Sequence, residues 1–210
     1  MTATPSKAPG TVFIVDDDTS FLRSISRLLM VLGYTVEAYA SAEDFFARPE
    51  PERPGCVVTD LQMPGINGLQ LQETLRQDEH PLPVIFLTGQ GDIPTTVSAM
   101  RSGAEDFLTK RAPKEELLAA VERALGRDAR ERQQRQHQRK LRRRFADLSL
   151  REKEVLSHVV QGKMNKEIAD ALNINLRTVK LHRTNLTRKL NVQSVAELTR
   201  MVDETGLFKS

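Results

Sequence analysis

Two rhythms of apolar residues alternate through the first 125 positions. Short continuous apolar runs, Thr11–Val15, Val57–Thr59 and Leu82–Thr88, predict buried strands. Between them, apolar residues recur every three or four positions. These are Phe21, Leu22, Ile25, Leu28, Leu29 and Leu32, then Leu69, Leu71 and Leu75, and finally Leu117, Leu118, Val121 and Leu125. That spacing predicts amphipathic helices. Thr19 or Ser20 is placed to cap the first of them and Gly33 to end it. Two weaker strands, Tyr34–Tyr39 and Ala104–Thr109, and two more helices, from Ser41 through Phe46 and over Ile93–Ser102, complete the series. Strand and helix thus alternate five times, the pattern of a doubly wound parallel sheet with helices on both faces.

Beyond residue 125 only the helical rhythm persists. Gly126–Ala146 is mostly Arg, Gln, Glu, His and Lys, with Leu141 and Phe145 nearly its only large apolar residues. It has no Pro, so a solvated helix is expected, and it lacks the apolar a and d positions of a coiled coil. Arg142-Arg143-Arg144 reads as a linker face, with DNA phosphates as the alternative partner. Four short helices follow. Ser149 and Glu152 form a capping box for the first, and Gly162 stops it. Asn165 caps the second, Asn173-Ile174-Asn175 makes a tight turn, Leu176–Leu190 is the third, and the fourth starts at Ser194. Two helices joined by a tight turn, the second with an exposed basic face, fit helix-turn-helix geometry and the major groove. On position, Lys180, Leu181 and Thr184 are the expected base readers, with Arg177, Thr178, Arg183 and Arg188 alongside them as DNA contacts.

Charge sharpens this division. Residues 1–125 hold 11 Lys and Arg against 18 Asp and Glu, a net of −7, whereas residues 126–210 hold 20 against 10, a net of +10. An acidic half joined to a basic half implies two jobs, the basic one directed at nucleic acid. Cys56 is the only cysteine, so no intrachain disulfide forms, which fits a reducing compartment. No apolar run approaches the ~18 residues of a membrane span, and Met1–Gly10 lacks the apolar core of a signal peptide. A cytoplasmic protein is expected.

In a parallel sheet all strands end at one edge, where ligands sit. The residues at those ends are Asp16 and Asp17, Asp60, Thr88 and Lys110. Clustered carboxylates repel unless a cation neutralises them, and hard oxygen ligands suit Mg²⁺ (or Mn²⁺). Asp16 and Asp17 would hold the metal, with Asp60 and the backbone carbonyl of Gln62 completing the protein ligands. Asp60 would attack phosphorus and form an aspartyl phosphate, Lys110 would neutralise the phosphoryl charge, and Thr88 would donate to its oxygens. A phosphatase using the same aspartate is disfavoured, because Gln62 stands where a second acid would be needed two residues after Asp60.

Val15-Asp16-Asp17-Asp18, Asp60-Leu61-Gln62-Met63-Pro64-Gly65, Thr88-Gly89 and Lys110 resemble the receiver domain of two-component response regulators. Leu150–Leu156, Asn165–Ala169 and Thr178–Arg183 resemble the LuxR-type DNA-binding domain. Together they are the NarL/FixJ architecture, and Thr88–Pro94 is similar to the FixJ branch in particular. The resemblance implies a flavodoxin-like receiver over residues 1–125, a helical linker over 126–146 and a four-helix DNA-binding domain over 147–210. It implies phosphorylation of Asp60 by a sensor histidine kinase, a switch pair of Thr88 and Phe107, and a homodimer on promoter DNA, with RNA polymerase a further partner. It implies no catalytic turnover and no membrane. Gln62 and Gln90 flank the acceptor and bear on the lifetime of the phosphoryl group. One departure is that receivers usually carry a cis Lys-Pro, whereas this chain has Lys110-Arg111. A cis bond before a non-proline costs roughly 3 kcal/mol, so a trans bond and a displaced following loop are expected.

Overall fold

The computed structural model describes residues 10–50, 52–89 and 93–205; Gln90 and the other residues of 90–92 lie outside this set. The chain divides into two compact units, Met1–Arg132 and Gln133–Ser210.

In the first unit, β1 (Thr11–Val15), β2 (Thr35–Tyr39), β3 (Gly55–Thr59), β4 (Val84–Thr88) and β5 (Asp106–Thr109) form one parallel sheet in the order β2-β1-β3-β4-β5. The continuous apolar runs are the central strands β1, β3 and β4, buried at every position, and the alternating Thr35–Tyr39 run is the edge strand. One face of the sheet packs against α1 (Thr19–Val31) and the start of α5, through Val12, Ile14, Val58 and Ile85 against Leu22, Leu29, Leu117 and Val121. The other face, with Phe13, Val57 and Phe86, packs against Phe45 of α2 (Ala42–Phe46), Leu71 and Leu75 of α3 (Gly68–Arg76), and Ala99 of α4 (Ile93–Arg101). Alternate strand residues feed opposite cores, as the period of two demands.

Several boundaries differ from the sequence reading. Asp18, rather than Thr19 or Ser20, caps α1, its carboxylate accepting the amides of Ser20 and Phe21. A carboxylate at a helix N-terminus also meets the positive end of the macrodipole, which a hydroxyl does not exploit. Residues 104 and 105 precede β5 rather than belonging to it. The last receiver helix does not stop at Leu125: α5 runs unbroken from Lys114 to Ala146. Gly126 is tolerated because the following turns are braced by the i,i+4 pairs Arg127–Glu131 and Asp128–Arg132. Residues 126–132 therefore belong to the receiver unit, while Leu141 and Phe145 are buried in the second.

That second unit contains α6 (Leu150–Val160), α7 (Asn165–Leu172), α8 (Leu176–Leu190) and α9 (Val195–Thr205). Val155, Leu156, Ile168, Val179, Leu186, Leu190, Leu198 and Val202 form its core with Phe145 and Leu148. The Ser149/Glu152 capping box forms as expected. Buried Glu152 also accepts Lys189 Nζ at 2.7 Å, tying the start of α6 to the end of α8. Asn173 closes α7 in the left-handed conformation (φ 51°), where Asn is tolerated, and Asn175 caps α8. Asn165 is the first residue of α7 rather than its cap; the Glu167 carboxylate accepts the Met164 amide instead. Among the described residues no helix is long and apolar enough to cross a membrane.

Candidate functional site

The carboxyl ends of β1 and β3 lie side by side, with Val15 in register with Thr59, so the next residues, Asp16 and Asp60, are neighbours. Two glycines shape the loop beyond Asp60. Gly65 has φ 72°, a conformation that favours glycine. At Gly68 a Cβ would overlap the Asp60 carbonyl oxygen and press on Phe86 Cε1 at 3.0 Å, so only glycine lets α3 begin this close. On the other side, the Lys110 amide donates to the Thr88 carbonyl at 2.8 Å, holding the end of β5 against the end of β4.

These constraints bring Asp16, Asp17, Asp60 and Lys110 together. Lys110 Nζ donates to Asp16 Oδ2 at 2.7 Å and to Asp60 Oδ2 at 2.8 Å. Asp16 Oδ1 accepts the Asp18 amide at 2.9 Å, and Asp60 Oδ1 accepts the amides of Leu61 at 2.6 Å and Gln62 at 3.3 Å. Asp16, Asp60 and Thr88 are buried, Asp17 is exposed, and Lys110 is half-buried. Burial pushes the Asp16 carboxyl above the ordinary Asp value, a shift only partly offset by Lys110 and the Asp18 amide. Burial alone would lower the Lys110 ammonium, but its hydrogen bonds and attraction to both aspartates outweigh this and raise it. The lysine is a fixed positive charge between two acids.

Asp16, Asp17 and Asp60 each offer a carboxylate oxygen within 4.8 Å of the others. Three hard oxygens on a cluster with one exposed member fit a small divalent cation that retains water ligands. Phe107, on β5, is half-buried with its ring 5.7 Å from that of Phe86. The peptide bonds of the described residues are trans, Lys110–Arg111 included, and the chain turns at once through an Ala112 amide to Thr109 carbonyl bond. One contact had no counterpart in the sequence reading. Lys110 Nζ sits 4.6 Å from the centre of the Phe21 ring, a cation–π contact that carries no sequence pattern because the residues come from α1 and from the turn after β5.

In the second unit α8 divides its predicted DNA contacts into two sets. Arg177, Lys180, Leu181, Thr184 and Arg188 are all exposed, at a spacing that places them on one face. Leu181 is 57% exposed. The other two are engaged within the domain. Thr178 bonds through its amide and Oγ1 to the capping Asn175, and Arg183 Nη1 donates to Asn165 Oδ1 at 2.8 Å, bracing α8 against α7.

A parallel sheet with a carboxylate triad and a lysine at one edge, followed by a helix-turn-helix unit, defines a phosphorylation-type receiver joined to a DNA-binding module. Comparison with known proteins agrees. Residues 12–122 match the response regulator receiver domain, and residues 146–202 match the luxR family of bacterial regulatory proteins. The chain is 39% identical over 200 residues to the transcriptional regulatory protein FixJ of Rhizobium meliloti, covering 95% of this chain and 98% of that protein. It is 38% identical over 192 residues to the response regulator protein TodT of Pseudomonas putida, covering 91% of this chain and 85% of that protein. The solved structure of the response regulator StyR superposes with a TM-score of 0.87 at 43% identity, over 95% of this chain and 100% of that one. The chain is a two-component response regulator. Within that class it belongs to the NarL/FixJ type, a receiver followed by a LuxR-type DNA-binding domain, and it regulates transcription. The receiver implies a sensor kinase as partner, and the LuxR-type domain implies DNA.

Proposed function

We propose that Asp60 is the phosphoryl acceptor and that its modification drives dimerisation and promoter binding. The observation that carries this is Lys110 Nζ bridging Asp16 and Asp60 at 2.7 and 2.8 Å beside a third carboxylate. Asp16, Asp17, Asp60 and the Gln62 backbone carbonyl are the groups to hold Mg²⁺ (or Mn²⁺), which when bound supplies charge neutralisation for a dianionic phosphoryl group. Asp60 Oδ2 attacks phosphorus of the sensor kinase's phosphohistidine; an O–P bond forms, the P–N bond breaks, and the imidazole leaves with the N–P electron pair. The amides of Leu61 and Gln62 on Asp60 Oδ1 fix the carboxylate so that Oδ2 faces the incoming phosphorus. Lys110 then pairs with the phosphoryl oxygens, and Thr88 donates to them as the Phe107 ring turns inward.

Pairing two basic modules on DNA raises affinity through effective concentration. Arg177, Lys180, Leu181, Thr184 and Arg188 form the reading face of α8, and Thr178 and Arg183 support it from the cap and from α7. Signalling takes place in the cytoplasm, with RNA polymerase as the downstream partner. The test measures protein mass, oligomeric state and DNA affinity with and without acetyl phosphate and Mg²⁺ at one salt concentration. The expected result is one added phosphoryl group, absent in Asp60→Asn, accompanied by a dimer and tighter DNA binding. Modification without a change in assembly or affinity would retain the acceptor chemistry and reject the activation mechanism.

A further inference from the structure

The four helices of the LuxR-type unit are not its only basic surface. Residues 133–146, the last part of α5, contain no Asp or Glu. Within them Lys140, Arg142, Arg143 and Arg144 are exposed and engage no ion pair among the described residues. Leu141 and Phe145, 4% and 3% exposed, are the buried residues of the same turns, and Phe145 and Leu148 belong to the core that also holds Val179 and Leu190 of α8. The cations are therefore carried on a surface fixed to the DNA-binding unit. Their position is set by Lys189, whose Nζ donates to the Asp147 carbonyl at 3.1 Å and to Glu152 at 2.7 Å. Asp147 thus lies within reach of the Lys189 side chain from the last turn of α8. Arg142–Arg144 precede it by about 5–8 Å of helix, well within the reach of a guanidinium.

We propose that the basic end of α5, Lys140 with Arg142–Arg144, is a second DNA-contacting surface, holding backbone phosphates beside the groove occupied by α8. The proposal rests on the reading of α8 as the DNA-facing helix and extends the footprint upstream of it. Phosphate is the occupant that fits: the surface presents exposed cations with no exposed aromatic or apolar residue among them, and it belongs to the same unit as the basic α8. Favourable interaction with the α5 dipole accounts only for Arg143 and Arg144, which lie in its last turn. Lys140 and Arg142 lie outside that explanation.

Each phosphate neutralised releases counterions and steepens the dependence of log affinity on log salt by about 0.9. The full-length protein would be titrated with a random-sequence duplex over a range of salt concentrations. Two variants would be compared with it, K140Q/R142Q/R143Q/R144Q and the charge-retaining R142K/R143K/R144K, each checked for unchanged helical circular dichroism. The expected result is a slope shallower by about 2–4 in the first variant, a loss of about tenfold or more in affinity at low salt, and a wild-type slope in the second. An unchanged slope in the glutamine variant overturns the proposal and leaves the α8 reading intact. A lost slope in the lysine variant also overturns it, since charge would not be the cause. Wild-type protein that binds no duplex at any salt overturns both readings together.

Discussion

At the scale of single residues the carboxylate pocket depends on what is missing as much as on what is present. Gly68 has no side chain, and the Asp60 carbonyl and Phe86 ring fill the space one would need. Gly68→Ala is expected to displace the loop after Asp60 and destabilise the receiver by about 1–3 kcal/mol, as overpacking does elsewhere. Urea denaturation checks the stability, and mass after acetyl phosphate treatment checks the predicted loss of acceptor function. A second residue sets a limit in alkali. Burial, followed by the Glu122 carboxylate, pushes the Tyr34 phenol up from 10.0 to about 12. Its contribution to stability is complete below the unfolded value and disappears as pH rises from about 10 through about 12, because the unfolded chain ionises first. Tyr34→Phe is expected to flatten denaturation midpoints across that window, and an unchanged alkaline slope would reject the assignment.

At the scale of elements, what the sequence made legible was what a periodic pattern can encode. Apolar runs broken by acids placed Asp16 and Asp60 at strand ends, and the hydrophobic stripe of α8 separated its buried from its exposed face. Contacts between distant parts of the chain left no such trace. Nothing in Gly126–Ala146 announces that Asp128, 1% exposed, accepts the amide of Gly55 at 3.0 Å and the Arg132 Nε at 2.8 Å. Nor does it announce that Arg132 Nη1 reaches the Glu52 carbonyl at 2.8 Å. Gly55 shows the same limit from the other partner, since a Cβ there would run into the Thr11 carbonyl. Asp128→Ala removes a buried carboxylate from two donors and is expected to cost about 2–4 kcal/mol, together with faster hydrogen exchange at Gly55. In the second unit the corresponding brace is Glu152. Burial would raise its carboxyl, but the Lys189 ammonium and Ser149 donors outweigh this and hold it below 4.5. A lowered value means stability that is present above 4.5 and lost as pH falls through the folded value, so acid is expected to loosen α6 from α8. Glu152→Gln should reduce the acid dependence of far-ultraviolet circular dichroism, and an identical acid midpoint would reject the role.

At the scale of the whole molecule, two cores flank the receiver sheet and a third fills the DNA-binding unit, while one helix contributes to both units. Between Arg132 and Leu141 no residue of that helix is buried, and His137 Nε2 lies 3.2 Å from Glu204 Oε2 of α9. With no buried apolar residue to anchor it, residues 133–140 are expected to be where cooperativity between the units is weakest. The aromatic content allows this to be observed directly. The chain has no Trp and two Tyr, Tyr34 and Tyr39, both in the receiver, so tyrosine emission follows the receiver while far-ultraviolet circular dichroism follows both units. Gly68→Ala is expected to lower the tyrosine transition and leave a later helical transition in place. Glu152→Ala is expected to do the reverse, and trypsin should cut first among Arg135, Arg139 and Lys140. If both variants moved both probes by equal amounts, the two units would form a single cooperative block. The α5 stretch between them would then unfold with its neighbours rather than open on its own.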